Sequence, residues 1–317
     1  MNKMKCLVTG GSGFIGSHVV DLLLKENYDV VVVDNFSTGN LSNLQHHNPF
    51  SNSRLSCRRA DFTDYAILQK VRNGDFDFVF HLAATASVPY SVKSPVNTND
   101  NNVTKSLLLL EACRTGKVKK FIFSSSSSVY GNSSFFPTTE ETVKQPLSPY
   151  ALQKSVIEDY CKLYQQLYGL ESICLRYFNV FGPRQSGSGP YANVISSWCE
   201  SGIKTGRIRL DGKGEASRDF VSVQDVAKAN LLAANSNVKF GCYNVGSGKS
   251  LNIAQILTWF KSVYENIEVV DAPARAGDPL FTQADISLTK NELGFISSEV
   301  DFLALNETFK WYKENIK

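Results

Sequence analysis

The sequence lacks the features of a membrane or secreted protein. No apolar run approaches the roughly 20 residues that a bilayer-spanning helix needs. The sequence enters its first predicted strand, 5–9, without the apolar stretch and cleavage site of a secretory signal. There is no basic block and no acidic tail, and the formal net charge is +3. We therefore expect a cytoplasmic protein that binds neither membranes nor nucleic acids.

Patterns for disulfides and metals are missing as well. The seven cysteines are scattered, odd in number and contain no CxxC pair, which is typical of free thiols in a reducing compartment. Of the four histidines only His46 and His47 are adjacent, and no cysteine or carboxylate follows them at the spacing of a metal site. The sequence predicts no metal centre.

What the chain does contain is the alternating pattern of an α/β protein. Short β-branched runs predict strands at 5–9, 29–33, 55–60, 77–82, 119–124 and 171–177. Apolar residues recurring every three or four positions predict helices at 14–27, 65–71, 98–115 and 149–168. We expect a Rossmann-type, doubly wound parallel sheet over residues 1–178, to which 221–246 returns. A smaller C-terminal α/β lobe over 179–317 should bind substrate.

A glycine-rich turn from Gly10 to Gly16 lies between the first predicted strand and the first helix. Glycines allow a tight turn there and let backbone N–H groups approach a pyrophosphate at the helix N-terminus. The second strand ends at Asp34, where an acid can receive the adenosine ribose hydroxyls and repel a 2′-phosphate. No cation follows closely to offset that repulsion, so the sequence favours NAD over NADP. The alternative is a turn used for close packing alone.

Tyr150 and Lys154 are spaced i, i+4 at the start of a helix marked by Ser148 as N-cap and Pro149 at its first position. The ammonium can lower the pKa of the phenol, which otherwise stands near 10, toward the range of a general base. Ser126 follows a predicted strand, at the rim where parallel sheets bind ligands. The three residues suggest proton transfer to and from a substrate hydroxyl, although a YxxxK pattern alone is also compatible with a purely structural role.

These motifs resemble the extended short-chain dehydrogenase/reductase family, in particular nucleotide-sugar 4-epimerases acting on UDP-N-acetylhexosamines. The resembling segments are 9–16, 34–39, 81–84, 124–131, 150–154 and 176–184, and the likeness covers nearly the whole chain. It implies that Ser126, Tyr150 and Lys154 are catalytic and that Lys154 also holds the nicotinamide ribose. The NAD site that the resemblance implies contains Gly10, Gly13, Phe14, Ile15, Gly16, Asp34, Asn35, Ser37, Thr38, Gly39, Asp61, Phe62, Leu82, Ala83, Ala84, Asn101, Ser124, Tyr150, Lys154, Tyr177 and Val180.

The resemblance also implies a UDP-sugar site, most of it on the second lobe. Its residues would be Ser87, Ser126, Tyr150, Asn179, Asn193, Val194, Arg209, Arg218, Arg275, Asp278 and Thr282. Arginine suits a diphosphate because its planar fork makes charge-assisted, bidentate hydrogen bonds. Several residues have structural alternatives. Arg218 would form a surface pair with Asp219, Asn193 would lie on a helix surface, Ser87 would bond its own backbone and Asp61 would cap a helix.

The residues around Ser126 bear on the type of reaction. Dehydratases of this family resemble one another in placing an Asp-Glu pair where this chain has Ser127 and Ser128. Without those acids, oxidation at C4, rotation of the 4-keto intermediate and return of hydride are the simplest chemistry. Thr282 stands where galactose epimerases carry a bulky tyrosine, which leaves room for an N-acetyl group. We therefore predict an NAD-dependent UDP-hexose 4-epimerase that interconverts UDP-N-acetylglucosamine and UDP-N-acetylgalactosamine, with UDP-glucose and UDP-galactose as a second pair.

The alternatives are a UDP-glucuronate 4-epimerase or decarboxylase, another NAD-dependent nucleotide-sugar oxidoreductase, and a non-catalytic sensor of dinucleotides. Net NADH formation would separate an oxidoreductase from an epimerase, and a sensor should have a broken Ser/Tyr/Lys set. The family resemblance further implies a homodimer joined through the predicted helices 98–115 and 149–168.

Overall fold

A computed structural model describes residues 3–49, 51–189, 192–274, 279–298 and 302–316. Strands and helices alternate along the chain. The strands are β1 (Lys5–Thr9), β2 (Asp29–Asp34), β3 (Leu55–Arg59), β4 (Phe78–His81), β5 (Lys120–Ser126), β6 (Ser172–Tyr177), β7 (Asn179–Phe181), β8 (Arg207–Asp211), β9 (Ser217–Arg218), β10 (Phe220–Ser222), β11 (Phe240–Val245), β12 (Leu251–Asn252) and β13 (Glu268–Ala272). The helices are α1 (Phe14–Lys25), α2 (Tyr65–Arg72), α3 (Val88–Lys93), α4 (Pro95–Asn99), α5 (Lys105–Thr115), α6 (Pro149–Tyr168), α7 (Val194–Thr205), α8 (Val223–Asn235), α9 (Ile253–Val263), α10 (Ser287–Leu293) and α11 (Phe302–Asn315).

Seven of the strands form one parallel sheet in the order β3-β2-β1-β4-β5-β6-β11. The chain builds outward from β1 to β3, then crosses over and builds from β4 in the opposite direction. The crossover leaves a crevice at the carboxyl ends of β1 and β4, where open α/β sheets bind ligands. The predicted Rossmann-type fold is confirmed. The three remaining pairs, β7 with β10, β9 with β12 and β8 with β13, are short two-stranded sheets.

Apolar side chains cover both faces of the large sheet. On one face the core joins Val19 of α1 to Val226 of α8. On the other it joins Leu109 of α5 to Ile157 of α6. A third core packs α7, α9 and α11 around Trp198, together with residues of β8 and β10. Both faces of the sheet are therefore shielded from water, and its carboxyl edge is left to form a site.

Local signals place α6 at both of its predicted ends. The Ser148 hydroxyl accepts a hydrogen bond from the Ala151 N–H at 3.2 Å, and Gly169 ends the helix with φ of 73°. Strand β5 runs two residues beyond its predicted end, because its pairing with β6 continues to Ser126 opposite Tyr177. That extension makes Ser126 the last residue of the strand.

The predicted helix 98–115 is wrong as a single helix. It is divided into α4, a π-helical turn over Asp100–Thr104, and α5. The Asn102 side chain explains the wide turn, because it bonds the Thr85 N–H at 2.7 Å, the Thr85 carbonyl at 3.0 Å and the Gln153 side chain at 2.8 Å. The predicted helix 14–27 also stops early, at Lys25, since Asn27 adopts φ of 65°.

Within the described ranges, the helices are all too short or too polar to cross a bilayer. The seven cysteines are free thiols, and five of them are buried.

Candidate active site

A cleft of about 1300 Å³ opens at the carboxyl edge of the sheet and extends to residues of the predicted second lobe. Its walls combine the turn after β1, the ends of β2, β4, β5 and β6, and the start of α6 with segments near α7 and β9. The predicted site residues that line it are Gly10, Gly13, Phe14, Ile15, Gly16, Asp34, Asn35, Ser37, Thr38, Phe62, Leu82, Ala83, Ala84, Asn101, Ser124, Ser126, Tyr150, Lys154, Tyr177, Asn179, Val180, Asn193, Arg218 and Thr282.

Some of the predicted site residues lie elsewhere in the described part of the chain. Ser87 is buried and caps α3, where its hydroxyl accepts the Tyr90 N–H at 3.1 Å. Arg209 is bonded to Asp211 at 2.6 Å on a largely exposed face of β8. For Ser87 the self-bonding alternative describes the structure, and Arg209 serves an ion pair. Val194 is the first residue of α7, outside the cleft wall.

Asp61 and Gly39 are likewise not among the residues that line the cleft. Asp61 accepts the Thr63 N–H at 2.9 Å and pairs with Lys105 at 2.6 Å, so its carboxylate stabilises a turn. Gly39 packs against the carboxylate of Asp34, and a side chain there would clash with it. Arg275 and Asp278 lie outside the described residues.

The glycines of the turn meet two different requirements. Gly10 adopts φ of 69°, and a Cβ on Gly16 would stand 2.2 Å from the Gly10 carbonyl oxygen, so both are required by the protein itself. Gly13 is different. Its φ of −77° suits any residue, and among described atoms a Cβ there would meet the Gly10 oxygen alone, at 3.2 Å. The empty space over Gly13, at the N-terminus of α1, fits the phosphates of a dinucleotide.

Asp34 is held in place at the end of β2. Its Oδ2 accepts the Ser12 N–H at 2.9 Å, and its Oδ1 accepts the Phe36 N–H at 2.8 Å. Each carboxylate oxygen can accept a second hydrogen bond, so the side chain can also receive ribose hydroxyls. The residues present therefore fit the adenosine half of NAD.

Tyr150 and Lys154 occupy the first turns of α6 beside β5. The Lys154 Nζ donates to the Ser124 carbonyl at 2.5 Å and lies 5.8 Å from the centre of the Tyr150 ring. Burial lowers the pKa of Lys154 to about 7, against the opposing charge of Glu158. The Tyr150 N–H donates to the Ser91 hydroxyl at 3.1 Å, which fixes the start of α6 against α3. The ammonium stands where its field favours the phenolate form of Tyr150.

Ser126 faces the same cleft from the end of β5. Its hydroxyl oxygen accepts the Ser128 N–H at 3.2 Å, which orients the side chain and leaves its own proton for donation. A strand end and a helix start thus bring together a hydroxyl, a phenol and an ammonium. This arrangement can take a proton from a substrate hydroxyl and return it.

Residues of the predicted second lobe also line the cleft. The Thr282 hydroxyl accepts hydrogen bonds from the Asp219 N–H at 3.1 Å and the Asn179 side-chain amide at 3.4 Å. Asn193 caps α7 through Ser196 at 2.9 Å and donates to the Val180 carbonyl at 2.8 Å. Asn193 is therefore a capping residue that also lines the cleft, instead of a residue on a helix surface.

Arg218 lines the cleft at β9, where its Nη1 donates to the Ser217 carbonyl at 3.0 Å. The neighbouring Asp219 carboxylate is buried and accepts hydrogen bonds from Ser247 and Ala284. Burial raises the pKa of Asp219 to about 6. Asp219 thus joins the segments that carry Arg218 and Thr282, a task that the sequence does not reveal.

Arg184 is a cleft residue that the sequence prediction missed. Its Nη2 pairs with Asp21 at 2.8 Å, and its Nη1 is buried without a hydrogen-bond partner among the described residues. A buried guanidinium N–H without a partner is costly, and a phosphate oxygen would satisfy it. The Gly-Pro-Arg sequence at 182–184 was a possible signal, because its arginine follows directly on the predicted cofactor residues.

Asp21 also contacts the histidine pair. His46 and His47 lie 3.0 and 2.7 Å from one Asp21 oxygen, while Arg184 pairs with the other. The sequence spacing gave no indication of a carboxylate near these histidines, because Asp21 reaches them from α1. The arginine already neutralises the carboxylate, so the cluster is explained by hydrogen bonds and an ion pair.

Comparisons with known proteins agree with this site. The model of the NAD dependent epimerase/dehydratase family matches residues 6–246. A putative UDP-glucose 4-epimerase from Methanocaldococcus jannaschii is 39% identical, over 98% of both chains.

Two solved structures share the fold over nearly the whole chain. A UDP-N-acetylglucosamine 4-epimerase from Methanobrevibacter ruminantium M1, solved with UDP-N-acetylmuramic acid, is 41% identical, with a TM-score of 0.93 over 100% of both chains. A UDP-glucose 4-epimerase from Thermotoga maritima, solved with UDP-glucose, is 36% identical, with a TM-score of 0.91 over 99% of this chain and 100% of that one. The predicted family, cofactor and enzyme class are confirmed: the chain belongs to the NAD-dependent epimerase/dehydratase family, as an isomerase that uses NAD.

Proposed function

We propose that the protein is a UDP-hexose 4-epimerase that interconverts UDP-N-acetylglucosamine and UDP-N-acetylgalactosamine through a 4-keto intermediate. The observation that carries this proposal is the placement of Ser126, Tyr150 and Lys154 in one cleft with the glycine turn and Asp34. Elimination of water has less support, since Ser127 and Ser128 stand where dehydratases of this family carry acids.

The proposed roles follow from the contacts of each side chain. NAD, when bound, supplies reversible hydride transfer at C4 of the sugar. Tyr150 takes the proton of the C4 hydroxyl and later returns it, because the neighbouring Lys154 ammonium stabilises the phenolate. Ser126 donates a hydrogen bond to the same oxygen from a fixed position. Because one oxygen gains and loses one proton at one site, the same residues serve both sugar epimers.

Thr282 supports N-acetylhexosamines as substrates. Its side chain is small, lines the cleft and is held from two sides by Asp219 and Asn179. A side chain fixed in this way leaves a defined space where a tyrosine would crowd the C2 substituent. The Methanobrevibacter enzyme is named for UDP-N-acetylglucosamine, whereas most of the related sequences are named for UDP-glucose. The small side chain of Thr282 is therefore our reason for proposing UDP-N-acetylhexosamines ahead of UDP-glucose as substrates.

We assign the UDP group to the second lobe, residues 179–317 apart from the returning segment 221–246. Arg218 and Arg184 line the cleft. Their guanidinium groups suit phosphates, which both NAD and the UDP-sugar carry. Arg184 carries the stronger structural argument because its Nη1 is buried without a partner in the described chain.

A panel of substrates tests the proposal. Purified enzyme is incubated separately with UDP-N-acetylglucosamine, UDP-glucose and UDP-glucuronate, and the anomeric proton signals are followed by NMR. We expect conversion of UDP-N-acetylglucosamine to its 4-epimer without added NAD and without steady-state NADH. Conversion of UDP-glucuronate alone would overturn the substrate, and net NADH would overturn the reaction.

We further propose that the protein is a homodimer joined through α4, α5 and α6. Apolar side chains on these helices are unusually exposed: Val96 by 79%, Leu167 by 61%, Leu152 by 52% and Leu108 by 45%. Exposed apolar side chains on helices that pack against one another are typical of an association surface. Light scattering after gel filtration should give twice the 35.1 kDa of the chain, and Leu152→Glu should shift the protein toward monomer.

A further inference from the structure

A buried acid stands one helical turn beyond Lys154, behind the cleft wall. Glu158 follows Lys154 by four residues and Tyr150 by eight, so the three side chains share one face of α6. The Glu158 side chain is 1% exposed. A carboxylate is buried at high cost unless it is paired, and Glu158 receives two hydrogen bonds from Arg176, at 2.9 and 2.7 Å. The roles proposed above do not use this acid.

Glu158 also reaches the strand that carries Ser126. The Ser125 hydroxyl donates to Glu158 at 2.6 Å. Successive side chains of a strand point to opposite faces, so a bond that holds Ser125 also fixes the direction of Ser126. Arg176 extends the contacts to the turn after Ser126, because its Nη1 donates to the Tyr130 hydroxyl at 2.8 Å. One carboxylate thus links β5, β6 and α6 directly beneath the reacting groups.

The surroundings of this acid and of Lys154 define the local charge balance. Lys154 faces the Phe123 ring and the Ser124 carbonyl on β5. The titratable groups that interact with it are His81, Cys174, Tyr150 and Glu158.

Around Glu158 the charged and titratable groups are Arg176, Lys144 at 3.6 Å, Tyr130, Cys174 and Cys242. Burial pushes Lys154 toward its neutral form, and among these groups the Glu158 carboxylate is the opposing charge nearest to it on α6.

We propose that Glu158 is a positioning residue for epimerisation, which keeps the Lys154 ammonium charged and fixes the Ser126 end of β5 against α6. This inference rests on the proposed roles of Ser126, Tyr150 and Lys154. Glu158 acts through those residues and touches neither substrate nor cofactor. Its charge and its hydrogen bond to Ser125 are separable by substitution.

A titration of Lys154 tests the charge directly and needs no turnover. The NAD-loaded protein is labelled with ¹³C-lysine, and the Cε signal of Lys154 is assigned by its absence in Lys154→Arg. We expect Glu158→Gln to lower the titration midpoint by about one to two pH units, the order of effect of one nearby charge at an effective dielectric constant near 20. The matched control Ser125→Ala, which keeps the charge, should leave the midpoint where it is. An unchanged midpoint in Glu158→Gln overturns the proposal.

Kinetics test the consequence for the reaction. In Glu158→Gln the alkaline limb of the kcat/KM profile should move to lower pH, because the Lys154 proton is lost more easily. Ser125→Ala should lower kcat with KM and both limbs unchanged. A fall in kcat with an unmoved alkaline limb in Glu158→Gln would show a merely structural role and overturn the proposal.

A second variant covers the possibility that Glu158→Gln does not fold. Glu158→Gln combined with Arg176→Met leaves no unpaired buried charge. Its Lys154 midpoint should lie below that of wild type by less than in Glu158→Gln, because a cation is lost together with the carboxylate. If the wild-type enzyme converts no UDP-sugar, the proposed function fails, whereas the titration still decides whether Glu158 holds the Lys154 charge.

Discussion

Gly13→Ala separates the two possible reasons for glycine in the turn after β1. The residue has φ of −77° and ψ of −177°, and an added Cβ would meet, among described atoms, the Gly10 oxygen at 3.2 Å. Alanine restricts the unfolded chain, which favours folding by about 0.4–1 kcal/mol where the native backbone is compatible. The slightly tight contact offsets part of that gain. The free energy of unfolding of the cofactor-free protein should therefore stay within about 1 kcal/mol of wild type.

The same substitution should weaken NAD binding strongly. Gly13 lines the cleft at the N-terminus of α1, where phosphates approach backbone N–H groups. A methyl group inserted into a packed contact costs about 1–3 kcal/mol. This corresponds to a Kd for NAD raised by about 5- to 150-fold. Gly13→Ala should thus weaken NAD binding without a matching loss of folding stability.

Two measurements on Gly13→Ala separate its folding stability from its affinity for NAD. Urea unfolding of the NAD-stripped protein gives the stability, and calorimetric titration with NAD gives the Kd. The control is Gly16→Ala, whose Cβ would stand 2.2 Å from the Gly10 oxygen and 2.8 Å from the Gly11 Cα, so the cofactor-free protein itself should be destabilised. Wild-type NAD affinity in Gly13→Ala would refute the reasoning and leave the turn as a packing device.

Three further substitutions address the proposed chemistry and specificity. Tyr150→Phe should lower kcat at least about 100-fold while retaining NAD, as NMR turnover and cofactor content would show; near-normal turnover would exclude Tyr150 as the proton carrier. Thr282→Tyr should lower kcat/KM for UDP-N-acetylglucosamine about 10-fold or more relative to UDP-glucose, and equal losses on both sugars would contradict its role at C2. Asp34→Asn should narrow the preference for NAD over NADP by about 10-fold in binding titrations, because it removes the charge that repels a 2′-phosphate; an unchanged ratio would place the discrimination elsewhere.

The parts of the fold that could be predicted are those set by local chemistry. The ends of α6 follow from Ser148, Pro149 and Gly169, each of which acts within one helical turn. The parallel sheet follows from alternating strands and helices. The π-helical turn at Asp100–Thr104 could not be predicted, since it depends on the Asn102 side chain bonding Thr85 and Gln153 across the fold.

The site residues also divide into those whose position the sequence predicts and those whose role depends on tertiary contacts. Ser126, Tyr150 and Lys154 could be placed together because a strand end and the following helix start meet at the carboxyl edge of a parallel sheet. Ser87 and Arg209 are side chains whose type suits a ligand but whose hydrogen bonds are taken by a helix N-terminus and by Asp211. Sequence gives the type of a polar side chain, and only tertiary contacts show whether the protein already uses it.

This difference explains why the reaction is easier to infer than the sugar. The groups that move protons in our proposal come from β5 of the large sheet and from α6, which packs on it, and the Ser125 and Arg176 bonds to Glu158 tie α6 to the sheet. The group that faces C2 of the sugar in our proposal, Thr282, lies in a segment after β13 and is held by Asp219 and Asn179 from two other segments. A change at Thr282 can therefore alter the accepted sugar without disturbing the proton carriers. On this argument, preference among UDP-hexoses depends on the second-lobe wall of the cleft, and the shared chemistry depends on the sheet.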